Sequence, residues 1–165
     1  MGVHRNSKSA LIFNITFRIL LLTMKKIALI NGVNLDRLGI REPAVYGKTT
    51  LSEIVSAVRA EAAKFGYEIA DFQSNYEGEI VEKIAEFADS GITLGIINPA
   101  AFTHTSVAIR DSIAGSGIKF IEVHISNIYG RESFRHDSLT APVCAGLVAG
   151  MGLEGYLAAL RYLVK

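Results

Sequence analysis

An α/β sandwich, a parallel sheet with helices packed on both faces, is the fold class this sequence predicts. Three observations lead to it. Short apolar runs alternate with amphipathic helical patterns from Met24 to the end of the chain. The first run is apolar at every position rather than at every second one, as a strand covered on both faces requires. The 165 residues, 50% of them apolar, suit a single domain with a real core.

The elements follow in order. Ile27-Ala28-Leu29-Ile30 reads as the first strand. A long loop rich in Gly and charge runs from Gly32 to Thr50, where a few residues would be usual. A helix follows with Leu51, Ile54, Val55, Val58, Ala62 and Phe65 on one face. Thr50 and Glu53 have capping-box spacing at its start, and Gly66 stands where it should stop. Tyr67 to Gln73 is the second strand. Ile80, Ile84 and Phe87, with Val81, Ala85 and Ala88, make a second amphipathic helix that Gly91 ends. Thr93 to Ile97 is the third strand, and Val107 to Ala114 a short helix ended by Gly115-Ser116-Gly117. Lys119 to Val123 is the fourth strand. After an irregular stretch from Ser126 to Pro142, Ala145 to Ala149 reads as a short fifth strand and Leu153 to Leu163 as the closing helix. Five strands in this length point to a flavodoxin-like three-layer sandwich.

Residues 24–165 are therefore expected to form one catalytic domain. Met1 to Thr23 reads as an N-terminal extension or the product of an upstream start codon, expected to be poorly ordered. Its apolar run is interrupted by Asn14 and Arg18, is too short to span a bilayer, and lacks a small-x-small cleavage site. A secretory signal is the weaker reading, so a cytoplasmic location and no membrane association are expected. The net charge of +1 and scattered arginines give no reason to expect a nucleic-acid partner. The single cysteine, Cys144, cannot form an internal disulfide and reads as a small buried apolar residue rather than a nucleophile.

Polar residues cluster where loops should leave strands, and a parallel sheet gathers such ends at one edge. The blocks are Asn31-Gly32-Val33-Asn34-Leu35, Arg41-Glu42-Pro43-Ala44-Val45-Tyr46-Gly47, Asn98 to Ser106 and Glu122-Val123-His124-Ile125-Ser126-Asn127. A lone tyrosine such as Tyr46 is most simply a half-buried aromatic, and a lone Arg41 a solvated charge. Their company on one long loop changes that reading. A phenol titrates near about 10, and a guanidinium within a few ångströms lowers that by about 1–3 pH units. The pair supplies a base that neither residue supplies alone.

His104 follows the third strand and His124 ends the fourth, so both can face one pocket. A single histidine is more often structural; two at neighbouring strand ends give the functional reading equal weight. No third ligand at suitable spacing accompanies them, so no metal is expected. Glu122, two residues before His124, points to the same side of the strand and can orient the imidazole and hold it protonated. His136 reads as a surface residue. The amides of Asn34 and Asn98 suit substrate hydroxyls or an ordered water. Ser126 and the backbone amides near Ile125 sit where an anion can be held, and Arg131 and Arg135 can fold over it. A base, an acid and polar stabilisation of an oxyanion suit proton removal beside a ketone followed by loss of a hydroxyl. No lysine at a strand end indicates a Schiff base.

These blocks, with Gln73-Ser74-Asn75-Tyr76-Glu77-Gly78-Glu79, Phe134-Arg135-His136-Asp137-Ser138 and the glycine-rich Gly150 to Tyr156, resemble the type II 3-dehydroquinate dehydratases over essentially all of Met24 to Lys165. The resemblance implies a flavodoxin-like fold, a dodecamer built from trimers, and dehydration of 3-dehydroquinate to 3-dehydroshikimate without metal or organic cofactor, in the shikimate pathway or in quinate breakdown. It implies that Tyr46 takes the C2 proton while Arg41 poises it. His124, backed by Glu122, protonates the departing C1 hydroxyl, and a water held by Asn34 stabilises the intervening enolate. Substrate contacts fall to Asn98, His104, Ile125, Ser126 and Arg135, and Asp111 reaches a neighbouring subunit's site. The family usually has proline at Val33, histidine at Tyr76 and Tyr129, and Leu-rich sequence at Asp36 and Arg37. Two other readings compete. One is a non-enzymatic flavodoxin-like module, carrying flavin or accepting phosphate. Asn98 and Asn31 stand where a phosphoacceptor needs acids. The other is an inactive scaffold relative, against which the intact set Tyr46, Arg41 and His124 speaks.

Overall fold

Five parallel strands lie in the order β2-β1-β3-β4-β5, the flavodoxin-like arrangement. The computed structural model describes residues 24–40 and 48–165. The extension read at 1–23 and the loop positions Arg41 and Tyr46 lie outside the described residues. The strands are β1 (Lys25–Asn31), β2 (Tyr67–Gln73), β3 (Leu94–Asn98), β4 (Lys119–His124) and β5 (Gly146–Ala149). The helices are α1 (Leu51–Ala63), α2 (Glu77–Asp89), α3 (Val107–Ser116) and α4 (Leu153–Leu163).

Alternate side chains of each strand serve the two faces. On one face Ile27, Leu29, Ile96, Ile121 and Val123 pack with Ile54 and Val58 of α1 and Tyr156 and Leu160 of α4. On the other, Ala28, Ile30, Ile97 and Phe120 pack with Ile80 and Ile84 of α2 and Ile109 and Ile113 of α3. Burying both faces explains why β1 carries no polar residue from Ile27 to Ile30.

The local signals act as read. Thr50 caps α1 in a reciprocal box: its hydroxyl accepts from Glu53 N at 3.2 Å, and its own N–H donates to Glu53 Oε2 at 2.7 Å. Gly66, Gly91 and Gly117 take positive φ behind α1, α2 and α3. Two expectations are corrected. Phe65, placed on the buried face of α1, lies past the helix end and is 46% exposed. Helix α3 does not stop at Ala114 but runs through Gly115 to Ser116, and only Gly117 turns left-handed. The third and fourth strands also run one residue further than read, so Asn98 and His124 are their terminal residues.

The sheet reverses winding direction between β1 and β3, which creates a crevice at the strand C-termini. There the chain passes very close to itself. Gly32 N donates to the Asn98 carbonyl at 2.7 Å, and a Cβ on Gly32 would stand 2.2 Å from the Pro99 carbonyl oxygen. The neighbour is backbone, which has no rotamer to change. Gly32→Ala is expected to destabilise the fold by about 1–3 kcal/mol, the range for overpacking, read as a lower denaturation midpoint. Gly115→Ala, where a Cβ meets nothing within 4 Å, is expected to raise it by about 0.5–1 kcal/mol. Equal midpoints for Gly32→Ala and the parent would contradict the close approach.

Candidate active site

The crevice holds a cavity of about 100 Å³, walled by three loops that leave neighbouring strands. Val33, Asn34, Leu35 and Leu38 come from the loop after β1. Asn98, Ala100, Ala101 and His104 come from the end of β3, and His124, Ile125, Ser126, Ile128, Arg131 and Arg135 from β4 and the strap behind it. Of the residues read as functional, Asn34, Asn98, His104, His124, Ile125, Ser126 and Arg135 meet here. Glu122 lies directly behind, fully buried. Asp111 does not join them: it sits exposed on α3, paired with Arg110 at 2.6 Å.

Each wall is held by specific bonds. Asn34 has φ 65°, a left-handed conformation that asparagine tolerates. Its N–H donates to Asn75 Oδ1 at 2.7 Å, and Gln73 Nε2 donates to the same oxygen at 3.2 Å. Asn98 donates through Nδ2 to the Tyr156 hydroxyl at 2.7 Å, and that hydroxyl donates to Asn31 Oδ1 at 2.8 Å. Burial pushes the Tyr156 phenol up, so it stays protonated and serves as a fixed donor. Asn98 Oδ1 accepts from Ala100 N at 3.1 Å. His104 meets the Asp137 carbonyl through Nδ1 at 2.7 Å. A carbonyl only accepts, so Nδ1 carries the hydrogen and Nε2 is left for a ligand.

Glu122 and His124 are two apart on one strand, and their side chains meet at 2.7 Å between Oε1 and Nε2. The same carboxylate accepts from Thr103 at 2.8 Å, Ser138 at 3.0 Å and Thr140 at 2.5 Å. Burial alone raises the pKa of the Glu122 carboxyl. The bond from His124, the bond from Thr140, the imidazolium's charge and the bond from Thr103 together outweigh that and hold it below the usual range. With Nε2 committed to Glu122, His124 has Nδ1 left for a ligand in the cavity. Cys144 is the other titratable group that feels Glu122. Burial and then the carboxylate's charge push its thiol up to about 12, so it is a neutral thiol and no nucleophile.

The strap 126–143 arches over the cavity on short helical turns. Glu132 pairs with Arg135 at 2.9 Å and Arg131 at 3.5 Å, and the Arg135 guanidinium lies 4.9 Å from the Phe134 ring centroid. His136 is exposed, as read. Among the described residues the lining thus contains two arginines, two histidines and amides, with no carboxylate and no lysine. That set suits a small anion carrying hydroxyls, with a proton donor beside it. Among the described residues no cluster of three or more His, Cys, Asp or Glu is placed to hold a metal ion, and no helix is long and apolar enough to cross a membrane. Thr103, Ser138 and Tyr156 lie within the quoted motifs and Thr140 just beyond one, yet the sequence alone assigns them no role. Their residue types are common in turns and cores, and no local spacing marks them.

A flavodoxin-like parallel sheet with a buried Glu122–His124 pair behind a cavity at its switch point defines an α/β protein with a small-molecule site at the strand ends. Comparison with known proteins agrees. The family described as Dehydroquinase class II matches residues 25–164. The chain is 54% identical over 144 residues to the 3-dehydroquinate dehydratase of Bacillus mycoides (strain KBAB4), covering 86% of this chain and 97% of that one. It is similar to the type II dehydroquinase of Butyrivibrio crossotus DSM 2876, with TM-score 0.84, 46% identity and coverage of 87% and 99%. The type II dehydroquinase of Propionibacterium acnes gives TM-score 0.81, 39% identity and coverage of 85% and 96%. The chain belongs to the class II dehydroquinase family, whose members are hydro-lyases.

The Glu122 carboxyl has a folded-state pKa below its ordinary 4.5. Its contribution to stability is therefore present above that value and lost as pH falls through the folded one. Glu122→Gln is expected to flatten the dependence of unfolding free energy on pH on the acid side of 4.5. An unchanged acid limb in denaturant titrations would show that Glu122 is not ionised in the native state.

Proposed function

We propose that this chain dehydrates 3-dehydroquinate to 3-dehydroshikimate through an enolate, using a tyrosine base and a histidine acid. Tyr46 removes the C2 proton, and the charge of Arg41 favours its phenolate. The enolate oxygen is stabilised by a water held on Asn34. His124 then protonates the departing C1 hydroxyl, and Glu122 stabilises the imidazolium from behind. Asn98, His104, Ile125, Ser126 and Arg135 bind the substrate's hydroxyls and carboxylate. No metal or organic cofactor takes part.

The observation that carries this reading is the buried Glu122–His124 pair, whose histidine lines a cavity that among the described residues holds two arginines and no carboxylate. Such a lining favours a carboxylate substrate, and the pair supplies a proton next to it. The single domain spans residues 24–165 and works in the cytoplasm, in the shikimate pathway or in quinate breakdown. It assembles as a dodecamer of trimers, in which Asp111 reaches a neighbouring copy's site. Its exposure on α3 leaves it available for that contact.

Adding 3-dehydroquinate to purified protein is expected to raise the ultraviolet absorbance of a conjugated enone, and borohydride is expected to leave the rate unchanged because no imine forms. Tyr46→Phe should lower turnover by about 10² to 10⁴, the scale of one general base, with the circular dichroism spectrum intact. Near-normal rates would remove Tyr46 from that role. Arg41→Ala is expected to move the basic-side pKa of the rate profile upward. An unmoved profile would mean that another group tunes the phenol.

A further inference from the structure

Glu122 is surrounded by more donors than one histidine supplies. Oε1 receives His124, Thr103 and Ser138, while Oε2 has Thr140 at 2.5 Å. Each hydroxyl has one hydrogen to give, so at any moment some point to Glu122 and the others to a neighbouring hydroxyl. Thr103 and Thr140 have no exposure at all, so neither hydroxyl is there for solubility. The three hydroxyls also touch one another: Thr103 lies 2.8 Å from Ser138 and 2.6 Å from Thr140. They can pass the donor role along a chain, Ser138 to Thr103 to Thr140 to Glu122, without moving an oxygen.

The three hydroxyls come from two different loops. Thr103 sits in the turn after β3, and Ser138 and Thr140 sit in the strap that carries Arg131 and Arg135. A backbone bond holds the two together, Leu139 N donating to the Thr103 carbonyl at 2.8 Å, and within the strap Ala141 N donates to Ser138 Oγ at 2.8 Å. A valine in place of either threonine would keep the shape and remove the donor. The site asks for hydroxyls there.

We propose that Thr103, Ser138 and Thr140 are positioning residues of the dehydration, acting through Glu122 to keep the proton it shares with His124 on the imidazole. The idea rests on His124 being the acid. Without the cage, a carboxylate in an apolar interior takes the shared proton itself, because that neutralises both partners. The imidazole is then neutral and has no proton for the leaving hydroxyl. Thr140 is the decisive member, since its hydroxyl stands against the oxygen that His124 does not touch. The charged and titratable groups facing Glu122 are His124 and the neutral thiol of Cys144. Among the described residues these are the groups whose charge bears on that proton.

The test uses the full chain with 3-dehydroquinate, comparing Thr140→Val, Thr140→Ser and Ser138→Ala. Thr140→Val is expected to lower kcat about tenfold or more, part of the range of one general acid, with KM little changed. Thr140→Ser is expected to restore it. On the acid side of neutrality, ¹⁵N spectra of histidine-labelled protein should show His124 with both ring nitrogens protonated in the parent. In Thr140→Val they should show a neutral ring, together with the infrared carbonyl band of a protonated carboxyl. A Thr140→Val protein with normal kcat, or with lowered kcat and an unchanged His124 ring, would overturn the cage's role. Should Thr140→Val fail to fold, Ser138→Ala gives the same readouts with the smaller change expected of the 3.0 Å donor; no change in either readout would overturn it equally. Turnover retained in His124→Ala would instead overturn the acid assignment beneath it.

Discussion

Burying a carboxylate without partners costs several kcal/mol even after the protein relaxes around it. Glu122 has no exposure, so the structure around it must hold donors in place. It draws on β4 itself for His124, on the turn after β3 for Thr103, and on the strap for Ser138 and Thr140. One buried charge therefore ties together three segments that are distant in sequence. The tie fixes the ring of His124, the path of the strap, and through the strap the arginines at the cavity. Losing any one donor leaves the charge under-solvated, so the segments are more strongly coupled than their exposed ion pairs alone would make them.

The sheet supplies the frame for that coupling. Winding reverses between β1 and β3, and the strand ends on either side carry Asn31 and Asn98 in register. Tyr156 reaches up from α4 to join both amides, linking the C-terminal helix to the cavity floor. Gly32 permits the first loop to lie against Pro99, which brings Asn34 to the mouth. Function is concentrated where apolar strands end and their polar terminal residues emerge. Two arginines give the described lining cationic groups that suit an anion, and both pair with Glu132.

Much of this is legible in the amino-acid sequence. Apolar runs bounded by Gly and Asn marked the strands, and Thr50 with Glu53 marked a cap that forms as read. The Glu122–His124 bond follows from a spacing of two on a strand, the one local pattern that puts two side chains on the same side. Phe65 misled because helical periodicity does not say where the helix stops; Ala63 ends it and the ring turns outward. Gly115 was read as a stop although a helix tolerates it at modest cost, and the left-handed turn comes two residues later at Gly117. The hydroxyl cage escaped notice because it depends on where an irregular strap crosses a turn 35 residues away. No local periodicity encodes such a meeting. Asp111 has no local signal either: it is exposed on its helix and pairs with Arg110.

A neutron structure of the deuterated protein, from crystals grown on the acid side of neutrality, would test the central claim most directly, because it sees the protons on which everything here turns. The account predicts a bare Glu122 carboxylate facing deuterons from His124 and from the hydroxyl cage, with a second deuteron on His124 Nδ1. A deuteron bonded to Glu122, beside a ring carrying only one, would contradict it.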